Sequence, residues 1–214
     1  MDRITLRQAL PRVFEGTEPK KSDVWLTECE FRRGEATVIA AESGTGKSSL
    51  CAYVYGSRKD FLGEILFNSR SVRELSIIEW QEIRRRHLAY LPQELSLFPE
   101  LTAMQNIMLK NSLTDHVSEQ CIREWLSELG IDNRADFPVG KMSIGQQQRV
   151  GIIRSICQPF DFLLLDEPVS HLDEANNRIA ARIVAREAAR QGAGIIATSV
   201  GNHLLLEAAE YLNL

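Results

Sequence analysis

The chain has no stretch approaching the roughly 20 consecutive apolar residues that a membrane-spanning helix needs. Its strongest apolar run, Phe160 to Leu165, is interrupted by Asp161. The opening Met1-Asp2-Arg3-Ile4-Thr5-Leu6 lacks the apolar core of a secretion signal, so a cytoplasmic chain, soluble by itself, is expected. Positive charge is also scarce. Lys and Arg number 25 against 29 Asp and Glu, a net charge of −4, without the basic footprint of a nucleic-acid binder. The four cysteines (Cys29, Cys51, Cys121, Cys157) are scattered with no Cys-x-x-Cys pair. They read as small buried hydrophobes in a reducing compartment, not as disulfides or metal ligands. Internal repeats, low-complexity segments and linker-like stretches are absent too. What remains is ordinary for a globular protein: 214 residues, 44% hydrophobic and 25% charged, enough for one domain with a real core.

Strand and helix signals alternate along most of the chain. Val24–Phe31 is rich in strand formers, Arg33-Gly34-Glu35 turns it back, and Ala36–Ala40 reads as a buried strand. A helix follows over Lys47–Tyr55. Glu64–Phe67 is a strand ended by Asn68-Ser69, Ser76–Arg86 a helix, and His87–Leu91 a strand stopped by Pro92. From Gln93 to about Val139 the strand signal vanishes. Val117, Cys121, Ile122, Trp125, Leu126 and Leu129 recur at helical spacing, with Gly130 as a stop. A helix over Ile144–Cys157, a strand over Phe162–Leu165, a helix over Glu174–Gln191 ended by Gly192, and a strand over Ile195–Thr198 complete the pattern. Such alternation implies a parallel sheet covered on both faces.

Between the strand at Ala36–Ala40 and the next helix lies Ala41-Glu42-Ser43-Gly44-Thr45-Gly46-Lys47-Ser48. It fits the phosphate-loop pattern of Gly, four residues, Gly-Lys-Ser, except that the first glycine is Ala41. Backbone N–H groups of such a loop and the helix N-terminus cradle phosphate oxygens, and the helix dipole favours the negative charge. Lys47 would neutralise the outer phosphates and the Ser48 hydroxyl would ligate Mg²⁺. Ala41 sits where a tight turn often demands glycine. Further along, Phe162-Leu163-Leu164-Leu165 delivers Asp166 and Glu167 to a strand's C-terminal edge, where α/β proteins place ligands.

Met142-Ser143-Ile144-Gly145-Gln146 lies twenty residues before Asp166, counted from Gln146. With the phosphate loop upstream, these strings resemble the ATP-binding cassette (ABC) ATPases over nearly the whole chain. The resemblance implies a single α/β cassette, a P-loop NTPase with a RecA-like core. A parallel central sheet, an N-terminal antiparallel β portion and an inserted α-helical subdomain are its expected parts. Residues 1–92 and 158–214 would be the catalytic core and about 93–157 the helical subdomain.

The same resemblance implies the roles. ATP would sit on Ser43, Gly44, Thr45, Gly46, Lys47, Ser48 and Ser49, with Phe14 stacked on adenine. Mg²⁺ would be held by Ser48, Gln93 of the Leu91-Pro92-Gln93 loop, and Asp166 through water. Glu167 would polarise the attacking water as general base. Ser143, Gly145 and Gln146 match the family's Leu-Ser-Gly-Gly-Gln signature, with Met142 and Ile144 as departures, and would reach the γ-phosphate held by an opposite protomer. Asp173 of Ser170-His171-Leu172-Asp173 would lie at that dimer seam.

The clearest departure follows the last strand, where Ser199 stands in place of the family's switch histidine; His203, four residues on, reads as a surface or packing residue. Losing a positioned proton-transfer group lowers a rate roughly 10²–10⁴-fold. The expected partners are a second cassette, identical or paralogous, and a separate membrane permease, with the apolar Leu95–Ala103 run either seating that permease or packing the subdomain. Phe98–Ala103 and Gln147-Gln148-Arg149-Val150 loosely resemble the group serving lipoprotein release, macrolide export and cell division. An ATP-dependent switch with little turnover is one alternative, and a soluble DNA-repair or translation cassette another.

Overall fold

The computed structural model describes residues 1–16 and 22–214. Nine strands and six α-helices lie among them: β1 (Arg3–Pro11), β2 (Glu28–Arg32), β3 (Ala36–Ala40), α1 (Lys47–Val54), β4 (Phe61–Phe67), β5 (Arg70–Ser71), α2 (Ile77–Arg86), β6 (Leu88–Leu91), α3 (Ala103–Asn111), α4 (Glu119–Glu128), α5 (Ile144–Ile156), β7 (Phe162–Asp166), α6 (Glu174–Gln191), β8 (Gly194–Ser199) and β9 (Glu210–Asn213).

Two sheets organise the chain. An antiparallel one runs β2-β1-β4-β5, and a parallel one runs β6-β7-β8-β3-β9. The inner parallel strands are mostly apolar because both faces are covered, and the strand period of two divides their side chains between two cores. Val38, Leu163, Leu165, Ile195 and Ala197 join the core built from α3 to α6. Ile39, Phe162, Leu164 and Ile196 join the other, with β1, β2, β4, α1 and α2. Between β6 and β7 the regular elements are all helical.

Parallel pairing brings every strand's C-terminal end to one edge. Ala40 lies opposite Ser199, Asp166 opposite Thr198, and Leu91 opposite Leu165. The loops after β3, β6, β7 and β8 therefore emerge side by side.

The predicted strand over Val24–Phe31 is shorter in the structure. Val24 and Trp25 are buried in a turn, Leu26 has φ of 56°, and the ladder starts at Glu28. Polar side chains bend this segment by satisfying its backbone locally. Ser22 Oγ accepts from the Val24 and Trp25 N–H groups, and Thr27 Oγ1 donates to the Asp23 carbonyl. β1 carries a bulge at Gln8, whose φ is 49°, where the register with β4 shifts. Gly63 faces it, and a Cβ there would meet Gln8 O at 2.2 Å, so only glycine fits.

Candidate functional site

The phosphate loop leaves β3 at Ala40 and enters α1 at Lys47, a strand–loop–helix setting. Gly44 and Gly46 have φ of 81° and 98°, conformations that glycine adopts without steric cost. Ala41 is not among the positive-φ residues, so its methyl group meets no backbone requirement for glycine. Thr45 Oγ1 donates to Glu42 O at 2.9 Å and tightens the loop. Lys47 is 5% exposed, and its Nζ donates to Ala41 O at 3.2 Å and Glu42 O at 2.6 Å. Burial pulls its pKa below the usual lysine value, and the charges of Glu167 and Asp166 oppose that shift.

An aromatic brace beneath this loop has no counterpart in the sequence reading. Trp25 Nε1 donates to Thr45 O at 3.1 Å. A Cβ on Gly46 would lie 3.2 Å from Phe14 Cε2 and 3.4 Å from Trp25 Cζ2 and Pro11 Cγ. Phe14 is thus seated against the loop, half-buried beside it. Trp25 lies twenty residues from Thr45, and no motif spacing would have found it.

Hard oxygen donors converge at the same edge. Ser48 Oγ donates to Gln93 Oε1 at 3.3 Å, joining the start of α1 to the loop after β6. Asp166 is 2% exposed and accepts from Thr198 Oγ1 at 2.7 Å. One carboxylate, one hydroxyl and one amide carbonyl suit Mg²⁺, which takes few protein ligands and completes its octahedron with water and phosphate. Among the described residues no cluster of three His, Cys, Asp or Glu exists that would favour a different metal. Glu167 follows with φ of 51°, and its N–H is held by Thr198 O at 3.2 Å and Thr198 Oγ1 at 3.3 Å. Ser43 is an exposed loop residue, while Ser49 Oγ accepts from Arg58 Nη1 at 3.0 Å. Ser199 closes the edge: its carbonyl accepts from Ala41 N at 3.2 Å, and its hydroxyl is bonded to His203 Nδ1.

Ser143, Gly145, Gln146 and Asp173 form a second group. Ser143 caps α5 in a capping box: its Oγ accepts from Gln146 N at 3.3 Å, and Gln146 Oε1 accepts from Ser143 N at 3.0 Å. A hydroxyl that accepts still has a proton to donate outward. A Cβ on Gly145 would stand 2.8 Å from His171 O, so the start of α5 passes too close to that turn for any side chain. Asp173 caps α6, and the Asn176 N–H it receives holds its carboxyl below the usual range. Gln148, 2% exposed in α5, links the two groups: its amide reaches Glu167 O at 3.0 Å.

Residues 27–170 match the family model described as ABC transporter. The chain is 32% identical over 160 residues to a Koribacter versatilis protein named lipoprotein-releasing system ATP-binding protein LolD, covering 73% of this chain and 72% of that one. A Zymomonas mobilis protein of the same name is 32% identical over 193 residues, 88% of this chain and 83% of the other. Among solved structures, the fold superposes on the ATP-binding cassette MJ0796, in a dimeric post-hydrolysis state bound to ADP and Pi. The TM-score is 0.74 at 22% identity, over 92% of this chain and 87% of that one.

Proposed function

The chain belongs to the ABC transporter family, whose cassettes hydrolyse ATP with Mg²⁺, and we propose that it powers a separate membrane permease by ATP-driven pairing with a second cassette. The observation that carries this reading is the convergence of Lys47, Ser48, Gln93, Asp166 and Glu167 at one sheet edge. Lys47 and the N-terminus of α1 neutralise the terminal phosphates. Ser48, Gln93 and Asp166 would hold Mg²⁺, which would supply positive charge against the charge that develops in phosphoryl transfer. Glu167 orients the attacking water. Catalysis is then mainly positioning and electrostatic stabilisation. Ser143 and the dipole of α5 supply the second wall of the site, against ATP held by the opposite protomer. Phe14 stacks on adenine, and residues 93–157 are the subdomain that swings toward the partner.

The permease of this proposal is a separate polypeptide, and no helix among the described residues is long and apolar enough to cross a membrane. A cavity of about 270 Å³ lies where Tyr55, Tyr90, Leu95, Lys110 and Arg154 meet. Apolar Ile78 and Leu113 are exposed along an adjoining groove with Lys110, and Phe98 is exposed beside Arg154. This groove is the seat for the permease. Leu113→Asp should leave basal hydrolysis intact and remove stimulation by the reconstituted permease; retained stimulation would rule the seat out.

The central experiment is steady-state ATP hydrolysis with Mg²⁺ for the wild type beside Glu167→Gln, with size-exclusion chromatography in ATP. Turnover abolished by Glu167→Gln, which in turn accumulates as an ATP-bound dimer, supports the reading. Pairing without wild-type turnover would make the chain a nucleotide-dependent switch instead.

A further inference from the structure

The chain as a whole carries a net charge of −4, yet the groove assigned to the permease is basic. Arg84, Arg85 and Lys110 line it, and Lys110 meets Arg154 in the adjoining cavity. One carboxylate, Glu82, stands among the described residues lining the two. It is already shared between Arg85 and Arg86, at 2.9 Å and 3.0 Å. Arg84 is engaged too, donating to the carbonyls of Tyr55 and Gly56.

Lys110 and Arg154 are not balanced in this way. Among the described residues the Lys110 ammonium has no hydrogen bond or ion pair, and the cation beside it is Arg154. Arg154 Nη1 donates to Ser96 O at 2.5 Å and its guanidinium lies over the Phe98 ring, contacts that hold it in place without a carboxylate. Burial pulls both groups below their ordinary values. Two desolvated cations sharing a cavity of about 270 Å³ favour whatever brings in negative charge. The other walls, Tyr55, Tyr90 and Leu95 among them, offer no acid. Beside the cavity, Ile78, Leu113 and Phe98 are exposed. A free ion would match the charge and leave that apolar rim in water, whereas a side chain carried on an apolar segment answers both.

We infer that this cavity takes one carboxylate side chain, glutamate or aspartate, carried on an otherwise apolar segment of the permease, with Lys110 and Arg154 as its donors. This rests on the permease seat proposed above and adds the chemistry by which the partner is recognised. The ammonium and the remaining guanidinium N–H groups are donors in need of an acceptor, and charge-assisted bonds in a desolvated site are the stronger kind. The same pair selects against other segments. A neutral or basic side chain in this place leaves two desolvated cations uncompensated.

The test titrates the full chain, without nucleotide, with two blocked amphipathic helical peptides. They differ at one residue in the middle of an apolar face, glutamate in one and glutamine in the other. Calorimetry should show the glutamate peptide binding about 10-fold more tightly, and added salt should narrow the difference. Lys110→Met, which keeps the length of the stem, should lower that preference to about threefold, and Lys110→Arg should retain it. No binding of the glutamate peptide, equal affinity for the two peptides, or a preference unchanged in Lys110→Met would each overturn the inference. Loss of peptide binding in inorganic phosphate at matched ionic strength would overturn it as well, because the cavity would then serve a free anion. The comparison of peptides on the wild type needs neither a folded variant nor ATP turnover. It judges the carboxylate alone, while stimulation of hydrolysis by the reconstituted permease, lost in Leu113→Asp, judges the seat.

Discussion

The side-chain amide of Gln148 donates to the backbone carbonyl of Glu167 at 3.0 Å, so α5 and the turn after β7 are fastened to each other. The same amide reaches Ser170 Oγ at 3.2 Å, and Gln148 Oε1 accepts from His171 N at 2.9 Å. One buried glutamine therefore spans the residue proposed to orient water and the turn that abuts Gly145. Any displacement of α5 would pull on the carbonyl of Glu167 directly.

Gln148→Leu removes those bonds; Glu167 O keeps Ser170 N and Oγ, while His171 N is left to find another partner. An unsatisfied buried polar group costs about 1–3 kcal/mol. We expect the melting midpoint to fall by several degrees and kcat to fall more than KM rises. Calorimetry and steady-state kinetics check both, and a variant with unaltered kcat would refute the coupling.

Gly145→Ala tests the close approach between α5 and the following turn. Its Cβ would stand 2.8 Å from His171 O, a backbone atom with no rotamer to yield. Overpacking of this kind destabilises by about 1–3 kcal/mol. Ile144→Ala, one residue away and half-exposed, should change stability by less than about 0.5 kcal/mol. Denaturant titration of the two variants should separate them clearly, and equal stabilities would contradict the geometry.

Trp25→Phe keeps most of the ring beneath Gly46 while removing the bond to Thr45 O. A neutral hydrogen bond contributes about 1 kcal/mol net. If the loop's pose in binding depends on it, the ATP dissociation constant should rise about fivefold. A fluorescent nucleotide titration measures this, and an unchanged constant would reduce Trp25 to packing alone.

The thiols give a prediction about reactivity. Burial, with Glu210 and Asp23 nearby, pushes Cys29 up to about 12, and burial pushes Cys157 likewise to about 12. Cys51 is raised well above its ordinary value, and Cys121 is raised by burial and then by Glu124. A raised pKa means less thiolate at any working pH, and the thiolate is the species that reacts. Alkylation at pH 8 should modify at most Cys121 in the native protein, and all four after unfolding. Mass spectrometry showing two or more adducts on the native chain would contradict the burial.

The sequence made the inner strands of the parallel sheet legible because they are short, mostly apolar and separated by strong helical periods. β1 escaped the sequence reading. The bulge at Gln8 breaks the alternation, so that Ile4, Thr5 and Leu6 are all buried before it and Ala9, Leu10 and Pro11 after it. β9 was equally silent, since Glu210, Tyr211 and Asn213 are exposed and only one neighbour, β3, holds the strand. At the site, Lys47, Asp166 and Glu167 could be read from local strings because backbone conformation and short spacing define them. Trp25, Gln148 and His203 could not, because each acts through side-chain hydrogen bonds that no motif spacing announces. His203 in particular read as a surface or packing residue, and the contact with Ser199 becomes visible only once Asn177 and Asn202 fold the intervening loop.

Glu167 holds a left-handed backbone, φ 51°, that suits glycine or asparagine far better than a γ-branchless acid of its length. Such a conformation costs on the order of 1–3 kcal/mol and persists only where surrounding bonds enforce it. The consequence concerns selection. A library of this chain screened for heat resistance alone should enrich glycine and asparagine at position 167, yielding sturdier proteins that, under the role proposed for Glu167, no longer turn over. Durability and work are in opposition at a single φ angle.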